Sequence, residues 1–314
     1  MAEPTTMTAA APLEDSRLGL VRYAELPSGV RIAYDSFGSP GDPPLLLVMG
    51  LGMQMLGWDE RFCELLVARG FRVIRFDNRD IGLSTKFDDA GRPHIIAGAL
   101  GATRKAPYLL ADMAADVAGL LDHLDIGGAH VAGVSMGGMI GQTLAARHPE
   151  RVRSLCSIMS GPGGRRPATM PRMSVIGTLL ARPPREREAY ADHVAKVFAR
   201  IGSPGYEVDL ERLRGVAMMS YDRGFDPLGG GRQLMAIIAS GDRTAELRTI
   251  TAPTLCIHGR ADRLLPPAAG EAVAAAIPAA RLELIEGMGH DLPFELWPEV
   301  VAMVAENASR ATPL

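Results

Sequence analysis

The run Leu45-Leu46-Leu47-Val48-Met49-Gly50 carries no polar side chain. A strand with one wet face alternates apolar and polar residues, so an uninterrupted run needs cover on both faces. Further strands are read at 71–77 (FRVIRFD), 129–133 (AHVAG), 151–159 (RVRSLCSIM), 252–259 (APTLCIHG) and 281–287 (RLELIEG). Segments of helical period lie between them. Residues 112–124 place Met113, Val117, Leu120, Leu121 and Leu124 on one face, and further helices are expected at 58–69, from Met136 to about Arg147, at 268–277, and over Trp297, Val300, Val301 and Val304. Strands alternating with helices specify an α/β chain: a mostly parallel, twisted sheet with helices on both sides and right-handed crossovers. An antiparallel hairpin over 20–38, turning at Ser28-Gly29, opens it.

The alternation stops at Gly161 and resumes near residue 245. Between them lie "GPGGRRP", "RPPRERE", a helical face with Tyr190, Val194, Val197, Phe198 and Ile201, and the methionine-bearing "VAMMSYD" and "RQLMAIIAS". The expected organisation is a core over 1–160, with a frayed start over 1–15, a helical insertion over 161–244, and the rest of the core over 245–314. The formal charge is −3 and no basic stripe interleaves with aromatics, which argues against a nucleic-acid partner. No apolar run approaches the ~18 residues of a membrane span, and the chain opens without a basic-then-apolar leader. Cys63, Cys156 and Cys256 stand far apart in apolar settings, as buried free thiols do. A cytoplasmic protein is expected.

The sharpest local signal is Gly133-Val134-Ser135-Met136-Gly137, set between a buried strand and a helix. There, Gly-x-Ser-x-Gly describes a strained turn that exposes the serine hydroxyl. A Cβ at 133 or 137 would collide with neighbouring backbone. The bland alternative is an N-cap serine beside packing glycines.

With "LLLVMGLGMQMLGWD", "RFDNRDIGLST", "VAGVSMGGMIGQTLAARHPERV", "IASGDRTAELRTITAPTLCIHGRAD" and "GMGHDLP", the chain resembles the α/β-hydrolase superfamily along nearly its whole length. It is most similar to the small esterases that include the aclacinomycin methylesterases. The resemblance implies an α/β-hydrolase fold with an inserted helical cap, and a Ser-Asp-His order along the chain. Asp262 and His290 lie in loops just past late strands, where ligands sit in parallel sheets. The resemblance assigns the same two residues, with Ser135 as nucleophile, His290 as base and Asp262 as its orienting partner. Asp291, beside the histidine, is the rival partner.

An oxyanion hole needs two N–H donors. Met136, after the nucleophile, supplies one. Leu51, in the loop after "LLLVMG", is chosen for the other, with Gly52 and Met53 as alternatives. Many relatives end that strand in His-Gly, whereas here it is Met49-Gly50. His258 reads as a buried, satisfied histidine and His148 as a helix end. His94, His123, His130 and His193 have no identifiable partner. Asp77, Arg79 and Asp80 read as a turn held by ion pairs, and "GLGMQM" and "GPGGRRP" as loops matching no nucleotide-binding pattern. No metal or other cofactor is implied.

The expected function is hydrolysis of a small-molecule, apolar carboxylic ester through an acyl-enzyme. The methionines and aliphatics of the insertion would form the pocket. The six arginines between 165 and 187 would be a solvated surface, or would meet an acidic group. Three readings compete with ester hydrolysis. The same triad could cleave a polyketide methyl ester, lactone, amide, thioester or carbon–carbon bond, or carry out perhydrolysis. The fold could also serve a ligand receptor, or a structural role.

Overall fold

The computed structural model describes residues 20–170, 175, 177 and 181–312. The expected frayed start at 1–15, and Arg172 of the arginine-rich stretch, lie outside these residues. Among the described residues eight strands form one sheet: β1 (Arg22–Glu25), β2 (Arg31–Phe37), β3 (Pro44–Val48), β4 (Arg72–Phe76), β5 (Ala129–Val134), β6 (Val152–Ile158), β7 (Thr254–Gly259) and β8 (Arg281–Ile285). Their spatial order is β1-β2-β4-β3-β5-β6-β7-β8. β2 pairs antiparallel with both β1 and β4, and every later pairing is parallel. The path runs outward from β3 to β4, then crosses back to β5 on the other side of β3. The carboxyl ends of β3 and β5 therefore flank the switch point, where open α/β sheets place their ligand crevice.

Among the described residues ten α-helices, in chain order, are α1 (Glu60–Val67), α2 (Ile95–Ala99), α3 (Leu110–His123), α4 (Met136–Arg147), α5 (Arg187–Ile201), α6 (Leu210–Gly224), α7 (Gly229–Ser240), α8 (Thr244–Leu247), α9 (Pro267–Ala276) and α10 (Trp297–Ser309). α3, α4 and α9 cover one face of the sheet, closing a core around Leu46, Val48, Val131 and Leu155. α1 and α10 cover the other, around Leu45, Leu47, Ala132 and Ile257. That two-sided burial is what the unalternating runs require. α4 is buried from Met136 through Ala145, and its small residues let it lie close against the sheet.

α5, α6 and α7 interrupt the chain between β6 and β7. α6 starts with Asp209 accepting from Arg212 N–H at 2.9 Å. α2 went unanticipated because five residues give no readable period. It packs by its Gly98 against Met235 of α7. Among the described residues no helix is long and apolar enough to cross a membrane.

Candidate active site

Ser135 lies between β5 and α4 with φ 54° and ψ −118°. A non-glycine residue holds such a backbone only where its surroundings impose it. Its N–H donates to Ile158 O at 2.9 Å, and its carbonyl accepts from Ser160 Oγ at 2.8 Å. A Cβ on Gly133 would stand 2.3 Å from Gly137 O, and one on Gly137 would stand 2.1 Å from Val48 O. The turn closes only with both side chains absent.

Behind the serine runs a buried polar chain that sequence reasoning missed. Gln142 Nε2 donates to Ser157 Oγ at 2.8 Å, and Gln142 Oε1 accepts from Arg243 Nη1 at 2.8 Å. Arg243 also donates to Gly161 O at 2.7 Å and Met139 O at 3.2 Å. Burial lowers its pKa to about 10 against the pull of Glu246 and Asp242. No local signal marks Arg243, because Met139 and Gln142 are about a hundred residues away in the chain.

The loops after β7 and β8 bring two further groups to Ser135. His290 Nε2 is 3.0 Å from Ser135 Oγ, and His290 Nδ1 is 2.6 Å from Asp262 Oδ2. Asp262 is fully buried, and its Oδ1 accepts the N–H groups of Leu264 and Leu265, both at 2.8 Å. Burial pushes this carboxyl up, but the attraction of His290 and the hydrogen bonds of His258 and His290 outweigh it and hold the pKa at about 2. An ionised carboxylate only accepts, so Nδ1 carries the proton and Nε2 faces the serine as a free acceptor.

Asp291 makes no hydrogen bond to the imidazole. Its carboxylate accepts from Ser203 Oγ, just past α5, and burial raises its pKa. Ser203 Oγ also accepts Gly289 N–H at 2.7 Å, and His290 N–H donates to Ile201 O at 2.8 Å. The chain following α5 thus grips the histidine loop.

His258 departs from the expectation of a satisfied histidine. Its Nε2 sits 3.0 Å from Leu265 O and 3.5 Å from Asp262 Oδ2, but its Nδ1 is buried with no partner among the described residues. Gly270 packs so closely over that edge of the ring that a Cβ there would be 2.6 Å from Nδ1.

The loop after β3 can be followed group by group. Asn78 Nδ2 donates to Met49 O at 3.0 Å, and Met53 N–H closes a turn onto Gly50 O at 3.3 Å. Gly52 N–H goes to Gln233 Oε1 and Met55 N–H to Asp77 Oδ1, each at 2.9 Å. Gly52 and Met53 are therefore engaged elsewhere. Leu51 N–H has no partner among the described residues, and a Cβ on the preceding Gly50 would stand 3.4 Å from the Ser135 Cβ. Met136 N–H, at the first position of α4, has no intrahelical acceptor.

Asp77, Arg79 and Asp80 stay outside the cavity as ion-pair anchors. Asp77 meets Arg223 of α6, Arg79 meets Asp116 of α3, and Asp80 accepts from Arg232 of α7 and from Tyr108.

Ser135, His290, Leu51 and Asp291 open onto a cavity of about 1170 Å³. Its walls are mainly apolar: Trp58, Phe62, Met139 and Met159 from the core side, and Phe198, Leu213, Val216, Leu234 and Ile238 from α5, α6 and α7. The methionines of "VAMMSYD" and "RQLMAIIAS" do not line it. Met235 instead packs against Gly98. The "GPGGRRP" loop, read as a plain connection, contributes Gly161, Gly163, Gly164 and Arg165 to the wall. Burial pushes the thiols of Cys156 and Cys256 up to about 12 and that of Cys63 higher still, so none competes as a nucleophile. Among the described residues no three His, Cys, Asp or Glu side chains converge as a metal site requires.

The chain's relatives among known proteins agree with this architecture. A rhodomycin D methylesterase from Streptomyces peucetius is 30% identical over 299 residues, covering 88% of this chain and 95% of that one. A 3-oxoadipate enol-lactonase from Acinetobacter baylyi is 27% identical over 258 residues, covering 82% and 85%. The crystal structure of a hydrolase from Pseudomonas aeruginosa PA01 superposes with a TM-score of 0.69 at 26% identity, covering 94% of this chain and 100% of that one. The sequence model of the alpha/beta hydrolase fold matches residues 43–295. This chain belongs to the α/β-hydrolase fold family.

Proposed function

We propose that the protein hydrolyses carboxylic esters through an acyl-enzyme on Ser135. The observation that carries this reading is the hydrogen-bonded series Ser135 Oγ–His290–Asp262 at the wall of an apolar cavity. His290 Nε2 takes the hydroxyl proton as Oγ attacks the ester carbonyl. The N–H groups of Leu51 and Met136 receive the oxyanion. His290 then protonates the departing alcohol and draws a proton from water for deacylation, while Asp262 holds its tautomer and stabilises the imidazolium.

Residues 161–244 act as the cap over this centre. At about 1170 Å³ the cavity is somewhat larger than most small-molecule sites, which span roughly 300–1,000 Å³. It therefore suits an ester with a bulky apolar body better than an acetate. The methylesterase and enol-lactonase relatives support bond cleavage at a carboxyl carbon, and the buried reduced cysteines suit the cytoplasm.

The test is p-nitrophenol release from acetate, butyrate and octanoate esters by wild type and Ser135→Ala. Turnover that rises with chain length and falls to background in the variant is expected. Activity retained by the variant would remove Ser135 as nucleophile. No turnover of any ester by wild type would remove the esterase reading.

A further inference from the structure

We propose that Gln233 of α7 is a positioning residue for the oxyanion loop, an inference that rests on the ester-hydrolase reading above. Its side chain is fully buried, and both ends are committed to backbone. Oε1 accepts Gly52 N–H at 2.9 Å, and Nε2 donates to Arg79 O at 2.9 Å. One side chain from the helices between β6 and β7 therefore ties together the loops that follow β3 and β4.

The bond to Gly52 falls on the most switchable point of that loop. Residues 50–53 form a turn closed by Met53 N–H on Gly50 O. Gly52 has φ +72°, while Leu51 is absent from the positive-φ positions. Negative φ followed by positive φ defines a type II turn, and rotating its middle peptide converts it to type I. Glycine permits either form at little cost. The middle peptide is Leu51–Gly52, and its N–H is the one Gln233 holds.

With Gly52 N–H and Met53 N–H both engaged, Leu51 N–H is the amide of this turn left without a partner among the described residues, on a residue that lines the same cavity as Ser135. An oxyanion donor is effective when it is fixed before charge develops. Leu51 N–H lies on the adjoining Gly50–Leu51 peptide, and a donor is held less firmly when the next peptide of its turn is free to rotate. Gln233 therefore acts through Leu51 and touches neither substrate nor the reacting atoms.

The experiment compares wild type, Gln233→Met and Gln233→Glu by kcat and KM on a p-nitrophenyl ester, by the rate of Ser135 labelling with a fluorophosphonate, and by thermal unfolding. Methionine keeps the length of the side chain and removes both bonds. Glutamate keeps an acceptor for Gly52 N–H. Removing an oxyanion donor outright costs ~10²–10³ in rate. Loosening one is expected to lower kcat and labelling together by about 10- to 100-fold in the methionine variant, with KM nearly unchanged and substantial recovery in the glutamate variant. If the methionine variant does not fold, Gln233→Asn, one methylene too short to span both groups, repeats the test.

A folded Met or Asn variant that labels and turns over like wild type overturns the proposal alone. So does a glutamate variant as slow as methionine, or a loss expressed only in KM. Wild type that is neither labelled at Ser135 nor active on esters overturns the ester-hydrolase reading, and this inference with it.

Discussion

Replacing Asp262 with asparagine preserves the side chain's shape and removes its charge, and the two amides beneath it decide the consequence. Leu264 and Leu265 both aim N–H groups at Oδ1 from 2.8 Å, so the asparagine oxygen must take that place. Its NH2 then occupies the Oδ2 position, 2.6 Å from His290 Nδ1. Two donors now face each other. The ring relieves this by moving its proton to Nε2, which then points a hydrogen at Ser135 Oγ where it should accept one. The lost charge-assisted bond is worth about 1.5–3 kcal/mol, and forcing the productive tautomer against an unmatched donor costs about 1–3 kcal/mol more. The sum corresponds to a kcat lower by roughly 10²–10⁴ at 1.36 kcal/mol per tenfold. Its upper end equals the ~10⁴ loss known for the same exchange in another serine triad. The assay is kcat and KM on a p-nitrophenyl ester at mildly alkaline pH, with thermal unfolding to establish the folded fraction. KM should hardly move, and Asp291→Asn should remain within about tenfold of wild type, because its carboxylate faces Ser203. A folded Asp262→Asn enzyme within tenfold of wild type would refute the reasoning, and a large loss in Asp291→Asn would transfer the orienting role to that residue.

Two further perturbations test different parts of the molecule. Ser203→Ala leaves the buried Gly289 N–H unmatched and removes the hydroxyl from Asp291. A destabilisation of about 1–3 kcal/mol in urea unfolding, with a lower kcat, is expected; unchanged stability and kcat would show that the histidine loop needs no grip from the chain after α5. His130 on β5 lies 2.8 Å from Ser154 Oγ, and burial, aided by Arg153, lowers its pKa from 6.5 to about 4. Its folded pKa lies below the unfolded one, so between pH 6.5 and 4 the unfolded chain holds more protons and stability falls as pH falls, by up to roughly 3 kcal/mol. Asp262, held at about 2, has the same sign in a lower window, its contribution being complete above pH 3.8 and lost as pH drops through 2. Urea midpoints at pH 7 and pH 4.5 should differ in wild type and converge in His130→Gln; an undiminished difference would place the acid sensitivity elsewhere.

The sheet was legible because its evidence is local. A run such as Leu45–Val48 declares two-sided burial by itself, and helices of twelve or more residues display a period. Ser135, Asp262 and His290 each come within a few residues of the end of a strand, so finding the strands was enough to place those three at one edge of the sheet. Gly133 and Gly137 could be read as obligatory for the same reason, since the clashes a Cβ would cause lie within the turn or on the adjacent strand. α2 is too short to have a period, and the orphaned Nδ1 of His258 depends on Gly270, which packs over it only after the chain has folded.

Gln233, Ser203 and Arg243 differ in kind. Their partners lie 181, 86 and 101 residues away, and a glutamine or serine at such a position looks like any other until the fold brings the partner in. Hydrophobicity alone was a poor guide to the cavity for the same reason. Met235 is apolar and wholly buried yet turns toward Gly98, while the adjacent Leu234 faces the cavity. On α7, one turn therefore separates Met235, which packs the scaffold, from Ile238, which lines the cavity, with Gln233 and Leu234 immediately before them. A helix carrying wall and anchor so close together transmits any displacement of its wall to Gly52. Swapping the bulk of Leu234 or Ile238 should therefore alter kcat as well as substrate preference, which a wall borne on a free-standing lid would not do.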